Sequence, residues 1–184
     1  MSTIQANLIE PSSGTTVTFG ASGDTVAVGS GATASGFGGG KVLQVLSLSY
    51  NTLETFTTSW VDTGLTIAIT PAATANKVLV MVTAYWGGNS DVFFRIVRGS
   101  TDISQGTASG SRSVVTGGNV AGDVNALMPM SAIFLDSPSA TSATTYKIMA
   151  LAETAGSLNR SNGDGDYVDR GRPNSTITVM EIEG

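Results

Sequence analysis

Leu65-Thr66-Ile67-Ala68-Ile69-Thr70 and, after a short break, Lys77-Val78-Leu79-Val80-Met81-Val82-Thr83-Ala84-Tyr85-Trp86 are the stretches that decide the fold. In the first, apolar residues occupy every second position. A strand sends successive side chains to opposite faces, so such a segment buries one set and wets the other. The second run is apolar on both parities, which predicts a central strand covered on both sides. Neither shows the 3.6-residue recurrence of an amphipathic helix.

The same rhythm extends outward. Leu46, Leu48 and Tyr50 alternate with Ser47 and Ser49, and residues 91–98 follow the hairpin-like break Gly87-Gly88-Asn89-Ser90. Further strands are expected over 114–116, 126–135, 145–151 and 176–182. Pro129 lacks an N–H to give to a ladder, so its strand belongs at an edge or carries a bulge. Residues 147–158 are the only helix candidate, and their first half reads equally well as strand. About eight strands without a helix predict an all-β, two-sheet β-sandwich of jelly-roll type over residues 41–184. The two-sided apolar strands are many for a lone sandwich, which suggests that one outer face packs against other subunits.

Residues 1–40 read differently. Short alternating pieces, Thr16-Val17-Thr18-Phe19 and Thr25-Val26-Ala27-Val28, are separated by Gly-containing turns. With so few large apolar side chains, this segment is expected to be an extended β-arm, ordered by pairing with other proteins or by stacking with copies of itself. Its contact residues are Ile4, Leu8, Ile9, Val17, Phe19, Val26, Val28 and Phe37. A flexible leader, with Gly38-Gly39-Gly40 as linker, is the alternative. Fully extended, about 40 residues reach roughly 130 Å.

Composition narrows the function. Only 12% of the 184 residues are charged, 41% are hydrophobic and the net charge is −5. Nucleic acids and anionic membranes bind through clustered Lys and Arg, and the nine basic residues here are scattered, so neither partner is expected. No basic start precedes an apolar run, so no secretory signal is expected, and no apolar stretch approaches a membrane span. There is no Cys and no His. Their absence removes the usual general base, the Ser-His-Asp arrangement and the commonest metal ligand. The expectation is a non-enzymatic protein without cofactor, metal site or catalytic residues.

The densest polar stretch is Asn159-Arg160-Ser161-Asn162-Gly163-Asp164-Gly165-Asp166-Tyr167-Val168-Asp169-Arg170-Gly171-Arg172. Read as a twelve-residue calcium loop from Asn162, it has Tyr167 where Gly is needed and Pro173 where Glu is needed, so that match fails. A solvated hairpin tip is the simpler reading. Asp164, Asp166 and Asp169, with Glu153 and Asp136, are the acids a glycosidase would have to draw on, and such chemistry needs two carboxyls facing across a cleft. Trp60, Tyr85 and Trp86 read first as core or interface residues. Tyr167, with Arg160, Asp164, Asp166, Asp169 and Arg170, forms the candidate receptor loop.

A likeness spans most of the chain. The leader from Ile4-Gln5-Ala6-Asn7 through Thr15-Thr16-Val17-Thr18-Phe19-Gly20-Ala21-Ser22-Gly23-Asp24 resembles the start of tail-fibre and related virion structural proteins from phages of marine bacteria, cyanobacteria in particular. Lys41-Val42-Leu43-Gln44-Val45, Val61-Asp62-Thr63-Gly64-Leu65, Asn76-Lys77-Val78-Leu79-Val80, Arg95-Ile96-Val97-Arg98-Gly99, Leu135-Asp136-Ser137-Pro138 and Ser175-Thr176-Ile177-Thr178-Val179 follow in the order of the globular part of those proteins. The likeness lapses in the loops 101–125 and 153–174. It implies a homotrimeric appendage on the virion, assembled in the host cytoplasm, contacting other capsid or tail proteins and a host surface glycan or protein. The arm over residues 1–40 would then attach the appendage to the particle or intertwine its chains. A capsid decoration (cement) protein is the alternative, and a polysaccharide depolymerase a distant third.

Overall fold

The structure is a computed structural model that describes Ser13 and residues 40–120 and 122–184. The chain divides into two units, Met1–Gly38 and Gly39–Gly184, and the described strands lie in the second. The expected arm residues Ile4 to Phe37 lie outside the described residues.

Eleven strands and no helix make up the described residues: β1 (Val42–Tyr50), β2 (Glu54–Phe56), β3 (Val61–Ile69), β4 (Lys77–Gly88), β5 (Asp91–Arg98), β6 (Thr101–Ile103), β7 (Gly117–Val120), β8 (Met128–Asp136), β9 (Thr144–Ala152), β10 (Gly156–Leu158) and β11 (Ser175–Ile182). All pair antiparallel. One sheet runs β1-β11-β4-β8, with β10 and β2 extending it beyond the end of β11. The other runs β3-β9-β5, with β6 and β7 sharing the far edge of β5. Successive long strands alternate between the sheets, so β1, β4, β8 and β11 face β3, β5, β7 and β9. This is jelly-roll order.

The core follows from period two. Val78, Val80, Val82, Ala84 and Trp86 of β4 point inward, as do Ile177 and Val179 of β11, Val92, Phe94 and Ile96 of β5, and Tyr146, Ile148, Ala150 and Ala152 of β9. Trp86 sits edge-on to Phe56 (centroids 5.6 Å apart) and stacks on Phe94 at 6.2 Å. β4 is central in its sheet, as expected, and hydrogen-bonded on both edges, but among the described residues the cover expected on both of its faces is found on one only. Its opposite row, Leu79, Met81, Thr83 and Tyr85, is only half-buried, because no described element covers it. Pro129 lies in β8, which among the described residues pairs with β4 alone and so forms an edge of the sheet.

Three differences from the sequence reading have physical causes. Strands β2, β6 and β10 are three residues each, too short to show a rhythm. The strand expected at 114–116 falls instead at 117–120, where Gly117 and Gly118 lie under the rings of Phe94 and Phe93; an added Cβ would collide with them. The segment 147–158 contains no helix: its first part completes β9 and its end forms β10.

A polar clamp ties the sheets together. Asp136, at the end of β8, accepts hydrogen bonds at 2.7 and 2.8 Å from the Arg98 guanidinium of β5 and at 2.7 Å from the Tyr146 hydroxyl of β9. Burial first, and then the bond to Asp136, push the Tyr146 phenol far above its ordinary pKa. Removing Asp136 leaves the buried Tyr146 hydroxyl without its acceptor and the partly exposed Arg98 without its counter-ion. Removing the hydroxyl leaves Asp136 still paired with Arg98. Asp136→Ala is expected to cost about 3–5 kcal/mol and Tyr146→Phe about 1–3 kcal/mol, read from urea denaturation midpoints.

Candidate functional site

The loop 159–172 is built on a rigid root. Asn159 has a left-handed backbone, with φ at 63°, and is wholly buried. Its amide Nδ2 donates to the carbonyls of Tyr50 and Thr52, both at 2.9 Å, and its Oδ1 accepts from Ser175 Oγ at 2.6 Å. Ser175 Oγ in turn accepts the Tyr85 N–H at 3.1 Å. One side chain therefore joins the ends of β1, β4 and β11 at the point where the loop departs. Asn is suited to this position because its side chain tolerates left-handed backbone better than most residues do.

Gly87 completes the root. The backbone of 160–162 lies so close to β4 there that a Cβ on Gly87 would run into the Arg160 carbonyl and the Asn162 nitrogen. Further out, the Gly163 N–H donates to the Val124 carbonyl at 2.9 Å, which brings the loops 101–125 and 153–174 into contact.

The six receptor-loop candidates fall into two groups. Arg160, Asp164 and Arg170 are half-buried and turned inward. Arg160 Nε lies 3.8 Å from Asp164, whose carboxylate also meets Arg172 at 3.2 Å. Arg170 lies 3.5 Å from Asp169 and 5.7 Å from the Tyr167 ring centroid. Asp166, Tyr167 and Asp169 are exposed, together with Val168, which is fully exposed and which the sequence reading passed over. Its signal was a lone β-branched residue in a loop of Gly, Asp and Arg. The outward tip therefore presents two carboxylates, one phenol ring and one aliphatic side chain.

The other aromatic candidates have separate places. Trp86 is core. Trp60 is half-buried, with the Arg95 guanidinium 3.6 Å above its ring, a cation–π contact on the outside of the five-stranded sheet. Tyr85 is half-buried on the outer face of the six-stranded sheet.

Among the described residues two carboxylates are buried, and both are engaged in holding the fold. Asp136 belongs to the clamp with Arg98 and Tyr146. Glu181 of β11 is buried, with Oε1 accepting the Ala72 N–H at 2.6 Å and the Asn76 amide at 2.5 Å, and Oε2 accepting the Gln44 amide at 2.6 Å. Asp166, Asp169 and Glu153 are exposed to solvent. Glycoside hydrolysis calls for two carboxyls facing one another, one of them desolvated and with a raised pKa. The candidate acids are distributed otherwise. Among the described residues no group of three or more His, Cys, Asp or Glu is placed to hold a metal ion.

No protein-family model matches the chain, and no curated protein does.

Because Gly87→Ala has to push the loop root away from β4, it is expected to cost about 1–3 kcal/mol, the usual range for overpacking. Tyr167→Ala at the tip is expected to stay within about 0.5 kcal/mol of the wild type. Both are read from urea midpoints.

For Glu181, burial is the largest influence and works to raise the pKa. The bonds from Asn76, Gln44 and the Ala72 N–H together outweigh it and hold the carboxyl below its ordinary 4.5. The unfolded chain then takes up the proton first, so this stabilisation is complete above that ordinary value and is lost as pH falls through the lowered one. The urea midpoint is expected to drop on acidification below about pH 4.5, and Glu181→Gln is expected both to reduce that slope and to cost about 1–3 kcal/mol at pH 7.

Proposed function

We propose that this chain is a non-enzymatic virion structural protein of a bacteriophage, a fibre- or spike-type appendage made of several copies of itself and displayed on the particle surface. The number three comes from the resemblance to marine phage fibre proteins. The observation that carries the reading is the contrast between scaffold and loop. Both buried carboxylates among the described residues serve the sandwich, while the 159–172 loop, fixed at Asn159 and Gly87, pushes Asp166, Tyr167, Val168 and Asp169 outward. A rigid scaffold presenting a polar loop with an aromatic residue is suited to contact with a host glycan or protein. Copies joined in one appendage gain avidity from contacts that are individually weak.

A capsid decoration protein is the second reading, favoured by the compactness of the described residues, which form a single sandwich without a shaft. Antibody-labelled electron microscopy of the phage separates the two. The appendage reading expects label at a few sites on the tail or vertices, and decoration expects label across the capsid lattice. Label absent from purified particles would defeat both.

A further inference from the structure

The outer faces of the two sheets differ in chemistry. On the five-stranded sheet, Lys147 of β9 meets Asp62 of β3 at 2.9 Å, and Arg95 of β5 meets Asp102 of β6 at 2.7 Å. Ion pairs of this kind are at home in water.

The outer face of the six-stranded sheet is organised in cross-strand rows. Val45, Met180, Leu79 and Leu135 stand side by side across β1, β11, β4 and β8. The next row is Ser47, Thr178, Met81 and Ile133, and the third is Ser49, Thr176, Thr83 and Ser131. Apolar side chains thus gather at one end and hydroxyls at the other. Ser47 with Thr178 (2.8 Å) and Thr83 with Ser131 (3.3 Å) already satisfy one another within the face. Lys77, beside Ile182, is the one charged residue of β4 and β11 that this face carries, and it stands at the margin. Ile133 is 71% exposed, Val45 51% and Leu135 47%.

A solvated antiparallel sheet face is normally polar, so an uncharged face with a contiguous apolar half marks a surface that is covered when the protein works. We propose that its occupant is a second copy of this chain, and that self-association runs through this face; the inference rests on the multi-copy reading of the function and assigns its surface. The multi-copy reading selects a copy as the occupant, and charge permits it to sit here. Each chain carries a net charge of −5, and two copies can approach closely only through a region free of like charges. This face is such a region. Its four strands, about 4.8 Å apart and some eight residues long at about 3.3 Å each, cover roughly 500 Å² in plan. That is at the small end of specific interfaces, which average roughly 800 Å² per partner.

The test uses the full chain. Sedimentation of the wild type is expected to give a multi-copy species. Ile133→Glu combined with Leu135→Glu is expected to give single chains with an unchanged far-UV spectrum, while Val168→Glu on the loop keeps the wild-type mass. Because the chain has no Cys, Ile133→Cys supplies a second measurement in an otherwise native protein. Its thiol is expected to react at least ~ten-fold more slowly with a soluble reagent than that of Val168→Cys. Multi-copy wild type with equally fast labelling at both positions, or with double-variant chains that still associate, overturns the assignment of this face and leaves the multi-copy reading standing. A wild type that sediments as single chains overturns both.

Discussion

β4 is the element on which the other strands depend. Its twelve residues pair with β11 and β10 on one edge and with β8 on the other, and Val78, Val80, Val82, Ala84 and Trp86 supply the middle of the core. Backbone hydrogen bonding and apolar burial cannot be separated here. A slip of one residue along either edge would turn the inward valines outward and bring Leu79, Met81 and Tyr85 against the five-stranded sheet. Register is held because the two rows differ in shape, with three valines, Ala84 and Trp86 inside and Leu79, Met81, Thr83 and Tyr85 outside.

Polar groups fix what apolar packing leaves free. Two sheets sandwiched around aliphatic side chains could slide over one another with little penalty, since greasy contact has no direction. The hydrogen bonds at Asp136, Glu181 and Asn159 do have direction. Asp136 joins β8 to β5 and β9 across the layers. Glu181 joins the end of β11 to β1 and to the turn at 72–76 that feeds β4. Asn159 closes the opposite end of the same sheet. Each is a buried polar group that costs desolvation and is retained because its partners are complete, the condition under which such groups specify one arrangement.

Much of this was legible in the sequence, and the reason is specific. The long strands β1, β3, β4, β5, β8, β9 and β11 each present several alternations, so period alone finds them, and Pro129 disclosed an edge. The short strands β2, β6 and β10 exist because longer neighbours offer them an edge, which is a tertiary fact with no local trace. β7 inverts the usual β-propensity, since glycine is chosen to admit two phenylalanine rings. At the loop, sequence clustering put Arg160, Asp164 and Arg170 in one group with Asp166, Tyr167 and Asp169. Only the fold shows that the first three brace the loop and the others face outward, because a guanidinium can serve either purpose and its partners decide which.

Charge is scarce in this chain and placed unevenly. With 12% of residues charged, few ions are left to keep its surface in water. Lys147–Asp62 and Arg95–Asp102 lie on one outer face, Arg160, Asp164, Asp169, Arg170 and Arg172 crowd one loop, and Arg98, Asp136 and Glu181 are committed to the interior or its margin. On the outer face of β1, β11, β4 and β8 the strands carry one charge, Lys77 at the margin, and the face relies on Ser and Thr for the rest of its polarity. Hydroxyls suit a surface that must be tolerable in water before assembly and dry afterwards, since they can bond to water, to each other or to a neighbour without the desolvation cost of a charge. The Ser and Thr content of the chain, 46 of 184 residues, therefore has a local meaning on that face beyond strand and turn preference.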